Sequence, residues 1–311
     1  MRPSSRLAAA VVLAAFASGC RDRALETRPE LDLEGWQTWR EQRIESLAAD
    51  DGWLTLIGLY WLSEGRPETF GTAPENDIVL PARPSLEGAP GTLGALLWDG
   101  ERVTLEEAAD SALEVDGEPV GSAAIELRTD SAPEPSELSI GTVTLALLDR
   151  AGELAVRAWD SASERRTLVD EIPVFEPSAE SVLDARFEPA EPGSTIAIAN
   201  VVGQVTDEAN PGALVFELGG RELRLEALAT ATEGRYFLLV GDETNGVETY
   251  GGGRYLYVER RADGGIDLDL NRLYNPPCVF TEFATCPLPP RQNRLPLRIE
   301  AGEKLWEGDL H

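Results

Sequence analysis

ELSIGTVTLALLDRAGELAVRAWD, Glu137 to Asp160, is the stretch that decides the fold. Its apolar residues alternate, and Gly141 and Gly152 interrupt the alternation. A period of two puts one set of side chains on one face of a strand, and a short glycine turn reverses the chain. The stretch therefore reads as antiparallel hairpins. The same pattern runs outward in both directions: DIVLP, GTLGALLWDGERVTL, ALEVDGEPV and AAIELRTD precede it. TIAIANVVGQV, GALVFELGGRELRLEALAT and GRYFLLVGD follow it. The Gly-Gly turn in FELGGREL joins two alternating segments, a strong hairpin signal. No repeat of solenoid or propeller period is present. The expected fold class is mostly β.

Two departures from this pattern lie in the first 65 residues. LDLEGWQTWREQRIESLAADDG carries Leu33, Trp36, Trp39, Arg40, Arg43 and Leu47 at spacings of three and four, which predicts an amphipathic helix ended by Gly52. Its tryptophans are expected to pack on the body of the protein. GWLTLIGLYWLSEG then reads as a buried strand or strand-turn beneath that helix. FEPSAESVLDARFEPAEPGS, around residues 176–194, is rich in Pro, Ser and Glu and reads as a domain boundary. The expected organisation is a signal over 1–19, a tether over 20–32, and a helix with its packing segment over 33–65. A β-sandwich over 66–176 and a C-terminal β domain over 190–311 complete it.

The opening MRPSSRLAAAVVLAAFASGC has a positive head, an apolar run too short to span a bilayer, and small residues before Cys20. That is a secretory signal, and its end resembles the bacterial lipoprotein cleavage box. Acylation (palmitate among the acyl groups) at Cys20 would make the membrane a partner through a lipid anchor, not a span. Charge sets a second bound. The chain has 55 acidic and 27 basic residues, a net charge of −28, with Lys304 its one lysine. Such a charge repels nucleic acid and anionic lipid, so neither is an expected partner. The acidic surface also resembles that of salt-adapted proteins. The one histidine, His311, is the last residue, a poor place to hold an imidazole against a nucleophile or a zinc ion. Catalysis would have to rest on carboxylates, Arg, Tyr or an oxygen-ligated metal.

GTAPENDIVLP, Gly71 to Pro81, resembles the opening of forkhead-associated domains, which bind phosphothreonine. The later VDGEPV and LSIGTVTLALL fall where that sandwich places a hairpin and its last strands. The resemblance implies a fold only. Thr72 stands where the phosphate-gripping Arg belongs, and APGTLG replaces the Ser-x-x-His region. Asn76 and Asp77 remain, a pair that stabilises a turn without any ligand.

TYGGGRYLYV, followed by DLNRLYNPPCVFTEFATCPLPPRQNRLPLRIEAGEK, is similar to the bacterial domain-of-unknown-function family 1684, with DGWLTLIGLYWLSEG as its N-terminal hallmark. On these motifs the resemblance extends from about Trp36 to Lys304. It implies a mostly β fold, secreted or lipid-anchored members, and no established activity.

Within that segment Cys278 and Cys286, in a proline frame and an exported chain, read as a disulfide in preference to free thiols. Two sulfurs fill only half a zinc shell, and the C-x-x-C spacing of redox pairs is absent. No metal and no cofactor is expected. The prolines deny regular structure, so the stretch should be an ordered lid held by side-chain amides such as Asn271, Asn275, Gln292 and Asn293. Asp267 and Asp269 alternate along a strand and share a face. A hairpin would bring Arg254 and Tyr255 toward them, with Glu282 in the cysteine loop and Arg294 beyond it. Arg254, Tyr255, Asp267, Asn271, Asn275, Asn293 and Arg294 are thus candidate ligand-binding residues, and Asp269 and Glu282 candidate catalytic carboxylates. The leading expectation is a lipid-anchored binding or scaffolding protein of the cell envelope, on the outer-membrane or periplasmic face in a Gram-negative cell, taking a polar ligand or an envelope protein through a polar pocket in the C-terminal β domain. The alternative is a histidine-free hydrolase. The three glycines of YGGGR are expected to be a turn or bulge.

Overall fold

The structure, a computed structural model, describes residues 30–107, 112–121 and 123–308. The signal, Cys20, most of the tether and His311 lie outside the described residues. A helix, α1 (Leu33–Leu47), is capped by Asp32, whose carboxylate accepts from the Gly35 N–H at 2.9 Å. The helix ends at Leu47, five residues before the expected stop at Gly52, which instead opens a single turn at Trp53–Thr55. Trp36, Arg43 and Leu47 face the body of the protein, while Leu33 is exposed.

Two β units follow, as expected. The first is a sandwich of β1 (Leu56–Trp61), β2 (Pro67–Gly71), β3 (Ile78–Val79), β4 (Gly94–Trp98), β5 (Val103–Glu107), β6 (Glu114–Val115), β7 (Glu118–Pro119), β8 (Ile125–Leu127), β9 (Glu137–Ile140), β10 (Val143–Arg150) and β11 (Glu153–Asp160). Its sheets run β1-β11-β10-β9-β6-β7 and β3-β2-β4-β5-β8. All pairs are antiparallel except β2–β3. Between the sheets lies a core that includes Phe70, Leu105, Leu145 and Val156. The segment after the helix is not a separate layer: β1 is the edge strand of this sandwich, paired with β11. Asn76 and Asp77 do turn work. The Asn76 amide donates to the carbonyls of Ala73 and Gly91, and Asp77 accepts from the Thr69 N–H.

The second unit is built from β12 (Val182–Pro189), β13 (Thr195–Ala199), β14 (Val205–Ala209), β15 (Gly212–Leu218), β16 (Arg221–Ala229), β17 (Arg235–Val240), β18 (Arg254–Glu259) and β19 (Gly265–Asp269). Six of them form an antiparallel sheet, β18-β17-β16-β15-β12-β19. A bridge from Arg260 to Ile266 brings its two ends together, so the sheet is nearly a closed barrel. Inward-facing Leu214, Phe216, Leu225, Leu238, Leu256 and Leu268 fill it. The FELGGREL turn is as expected, with Gly219 and Gly220 both at positive φ, as the hairpin's twist demands.

The stretch read as a boundary is instead a barrel strand. Leu183, Ala185 and Phe187 point inward, and β12 pairs with both β15 and β19, so the second unit starts at Val182 and not at residue 190. Among the described residues no helix is long and apolar enough to cross a membrane.

Candidate functional site

Alternation along β17 and β18 has a consequence outside the barrel. Tyr236, Leu238, Val240, Leu256 and Val258 enter its core, so Phe237, Tyr255 and Tyr257 stand on its outer face. Phe237 and Tyr257 stack with centroids 4.7 Å apart, and Tyr255 meets Tyr274 edge-on at 5.7 Å. The sandwich turns its own second face toward this aromatic floor. On β11, Leu154, Val156 and Ala158 enter the sandwich core, which leaves Ala155, Arg157 and Trp159 on the opposite face. Helix α1 and the cysteine loop close the sides.

The result is a cleft of about 570 Å³ where the helix, sandwich and barrel meet. Trp39, Trp53, Phe237, Tyr255, Tyr257 and Tyr274 supply its rings, and Arg43, Arg150 and Arg157 its charge. No carboxylate and no imidazole is among its lining residues. In a chain of net charge −28 that is an unusual composition.

The three arginines differ in what they hold. Arg43 reaches Glu303 at 3.4 Å, donates to the Asn275 carbonyl at 2.8 Å and lies over the Tyr274 ring. Arg150 pairs with Asp130 at 2.7 Å and donates to Thr285 Oγ1 at 3.3 Å. Arg157 is 6% exposed, lies 5.3 Å over the Trp53 ring, and its side chain makes no hydrogen bond or ion pair with any described residue. Its pKa is pushed down to about 10, first by burial and then by the charge of Arg150, so it remains a cation at neutral pH. Burial raises the Tyr255 and Tyr274 phenols, which stay protonated.

The residues singled out in the sequence do not converge on one site. Arg254 is fully buried. It pairs with Asp242 at 2.8 Å and donates to the carbonyls of Ile299, Ala301 and Glu303, so its charge is spent inside the protein. It does not approach Asp267 or Asp269 as the hairpin argument expected, because it shares the inward parity of Leu256 while the aspartates face out. Asp267 and Asp269 do share a face, along a neighbouring groove. There Arg261 bridges Asp267 and Asp184, and Asp269 meets Arg272 at 3.3 Å. Glu282 is exposed on the cysteine loop and lines neither cavity. The two candidate carboxylates are therefore not brought together.

Three of the four loop amides are latches; Gln292 is exposed and its side chain bonds to no described residue. Asn271 exchanges hydrogen bonds with the Ser178 backbone, and Asn293 with that of Glu226. Asn275 donates its backbone N–H to Glu303 at 2.6 Å and its amide to the Lys304 carbonyl. Arg294 is exposed and pairs through its backbone with Gly241. Of the candidates, Tyr255 lines the cleft, and its hydroxyl donates to the Pro287 carbonyl at 2.7 Å.

The Cys278–Cys286 disulfide is present, with Cα atoms 6.2 Å apart, and Cys286 and Pro287 form part of the wall. Gly253, last of the three glycines, sits at positive φ, and a Cβ there would come within 2.5 Å of Pro289. The triple glycine is thus a close-packed turn under the loop. Among the described residues no cluster of three or more His, Cys, Asp or Glu side chains could hold a metal.

Arg157, Arg150 and Trp53 were missed in the sequence. The available signal was an arginine in the middle of the otherwise apolar run ELAVRAW.

Residues 167–304 match the family described as protein of unknown function (DUF1684). The resemblance drawn from TYGGGRYLYV and the cysteine loop is borne out over that segment, while α1 and DGWLTLIGLYWLSEG lie outside the match. No curated protein matches the chain. One similar solved structure is the solution NMR structure of an uncharacterized protein of Haloarcula marismortui, 28% identical over 45% of this chain and 80% of its own, with a TM-score of 0.37.

Proposed function

We propose that this is a lipid-anchored protein of the cell envelope that binds a small anionic ligand in the cleft between helix, sandwich and barrel. One observation carries the binding reading: Arg157, a buried guanidinium with no side-chain acceptor and no ion pair of its own, faces an aromatic cavity, and the one carboxylate that acts on it, Asp130, is already paired with Arg150. An isolated buried charge is costly, and a site that keeps one is suited to an anion from outside. The cavity falls in the range of small-molecule sites, about 300–1,000 Å³, with rings for contact and a few polar groups for orientation. The polar pocket expected in the C-terminal domain thus becomes a shared cleft, to which the barrel gives the floor and the sandwich the charge. Hydrolysis is not the reading favoured, because general acid–base chemistry needs titratable groups within reach of the substrate, and the lining has no carboxylate.

The anchor is proposed from the opening twenty residues alone, and exclusion of nucleic acid from the charge. Thermal-shift screening of the full chain tests the ligand reading. Small organic anions should raise the melting temperature, and neutral sugars and divalent cations should not. Stabilisation by sugars or cations alone would sink it. Fractionation tests the anchor: Cys20→Ser should move the protein from the membrane fraction to the soluble one, and an unchanged distribution refutes acylation.

A further inference from the structure

We propose that the ligand is a flat organic carboxylate, held by both oxygens on the Arg157 guanidinium with its apolar body among the aromatic rings of the cleft. This rests on the binding reading above and names its ligand class.

The charge count comes first. Arg43 has Glu303 and Arg150 has Asp130, each within ion-pair distance. Arg157 has neither. Arg150 and Arg157 thus share the field of one carboxylate, Asp130, and a bound monoanion would give Arg157 a partner of its own. A guanidinium presents its donors as a planar fork that matches the two coplanar oxygens of a carboxylate. A phosphate dianion asks for a second charge and more donors. The helix does not offer them, since Trp39, Gln42, Arg43 and Ser46 come from the flank of α1 and not from its N-terminus.

Shape comes second. Phe237 and Tyr257 stack at 26° to one another, while Trp53 lies under the guanidinium. A flat apolar body gains contact on such surfaces at little entropic cost. Arg157 has its pKa lowered by burial and by Arg150, and a bound carboxylate would reverse that shift.

The test measures binding of naphthoate, naphthyl phosphate, naphthalenesulfonate, naphthol and acetate to the full chain by calorimetry and thermal shift. Naphthoate should bind with the highest affinity, and acetate and naphthol at least tenfold more weakly. Arg157→Gln should lower naphthoate affinity roughly 10- to 100-fold, the usual worth of a charged hydrogen-bonded pair. Arg157→Lys keeps the charge and loses the fork, and should bind distinctly more weakly than wild type. Tyr257→Ala alters a half-exposed wall, which leaves the fold intact, and should weaken naphthoate but not acetate. Equal affinity in wild type and Arg157→Gln overturns the assignment to Arg157. Naphthyl phosphate or the sulfonate binding through Arg157, with naphthoate inert, overturns the carboxylate class and leaves the anion cleft standing. Silence of all three anions overturns both.

Discussion

Arg254 and Arg157 are both buried arginines on strands, and they do opposite things. Arg254 sits at the end of the barrel with Asp242 against it and three carbonyls of the C-terminal segment around it. Asp242 in turn accepts from the Thr244 and Ile299 N–H groups. Each charge is met, so the cluster fastens residues 299–303 to the sheet. Arg157 has a ring beneath it and no ion pair or side-chain hydrogen bond among the described residues. A buried cation with a counter-ion and three carbonyls against its Nη atoms is architecture, even with its Nε unbonded. One without them is an unsatisfied demand, and its environment shows what would satisfy it.

The sharpest way to break this contrast is to remove each guanidinium in turn. Arg254→Met leaves Asp242 buried and unpaired, and should destabilise by about 3–5 kcal/mol in urea denaturation. Adding Asp242→Leu should recover much of that loss, since the penalty belongs to the stranded charge. A single mutant within about 0.5 kcal/mol of wild type would deny Arg254 its role as a clamp. Next in size is the disulfide. Closing the short loop between Cys278 and Cys286 is worth roughly 2–3 kcal/mol, so Cys278→Ser with Cys286→Ser should lower the unfolding free energy by that amount. Because Cys286 and Pro287 are part of the wall, the same change should weaken any Arg157-dependent ligand. Unaltered affinity would separate the loop from the site. Arg157→Met should move stability the other way, with a gain of about 1 kcal/mol in the ligand-free protein from a lost desolvation penalty partly offset by the lost contact with Trp53. A loss of stability would mean that Arg157 belongs to the architecture after all.

The same contrast explains what the sequence disclosed. Residues whose partners are near in sequence were readable: the FELGGREL turn, the paired aspartates of β19 and the short cysteine loop; the latching role of Asn271 and Asn293 was readable from residue type, but not their partners, which lie 93 and 67 residues away. Arg157 was not, because alternation on β11 shows which residues share a face but not what covers the second face. That cover is a barrel face whose nearest strand, β17, begins at Arg235. Strand β12 was hidden for a different reason. Its Glu and Pro residues point outward or end the strand, and composition averages them with the inward Leu183, Ala185 and Phe187. The short helix had a stop signal at Gly52 that serves the next turn, while Ala48 closes the helix by donating its N–H to the Ile44 carbonyl.

The smallest effect concerns Glu303, which joins the two arginine systems: its carboxylate faces Arg43 and its carbonyl accepts from Arg254. Burial raises its pKa above the usual carboxylate range, and Arg43 and the Asn275 N–H offset the rise only in part. A carboxyl with a raised folded-state pKa holds more protons folded than unfolded, so its contribution to stability is complete at low pH. That contribution declines as pH climbs from the unfolded value of about 4.3 through the folded one. Asp77 has the opposite sign. Its pKa is pushed down to about 2, first by the hydrogen bond from Arg66 and then by the Thr69 N–H, so its contribution is lost only as pH falls below the usual range. Glu303→Gln keeps an acceptor for the Asn275 N–H and removes the ionisation. Urea midpoints across the titration should show a flatter decline above the unfolded carboxylate value in that variant and an unchanged acid limb. An identical slope in both proteins would mean that Arg43 holds Glu303 ionised at no cost, and that the cleft's paired arginines are as well satisfied as Arg254.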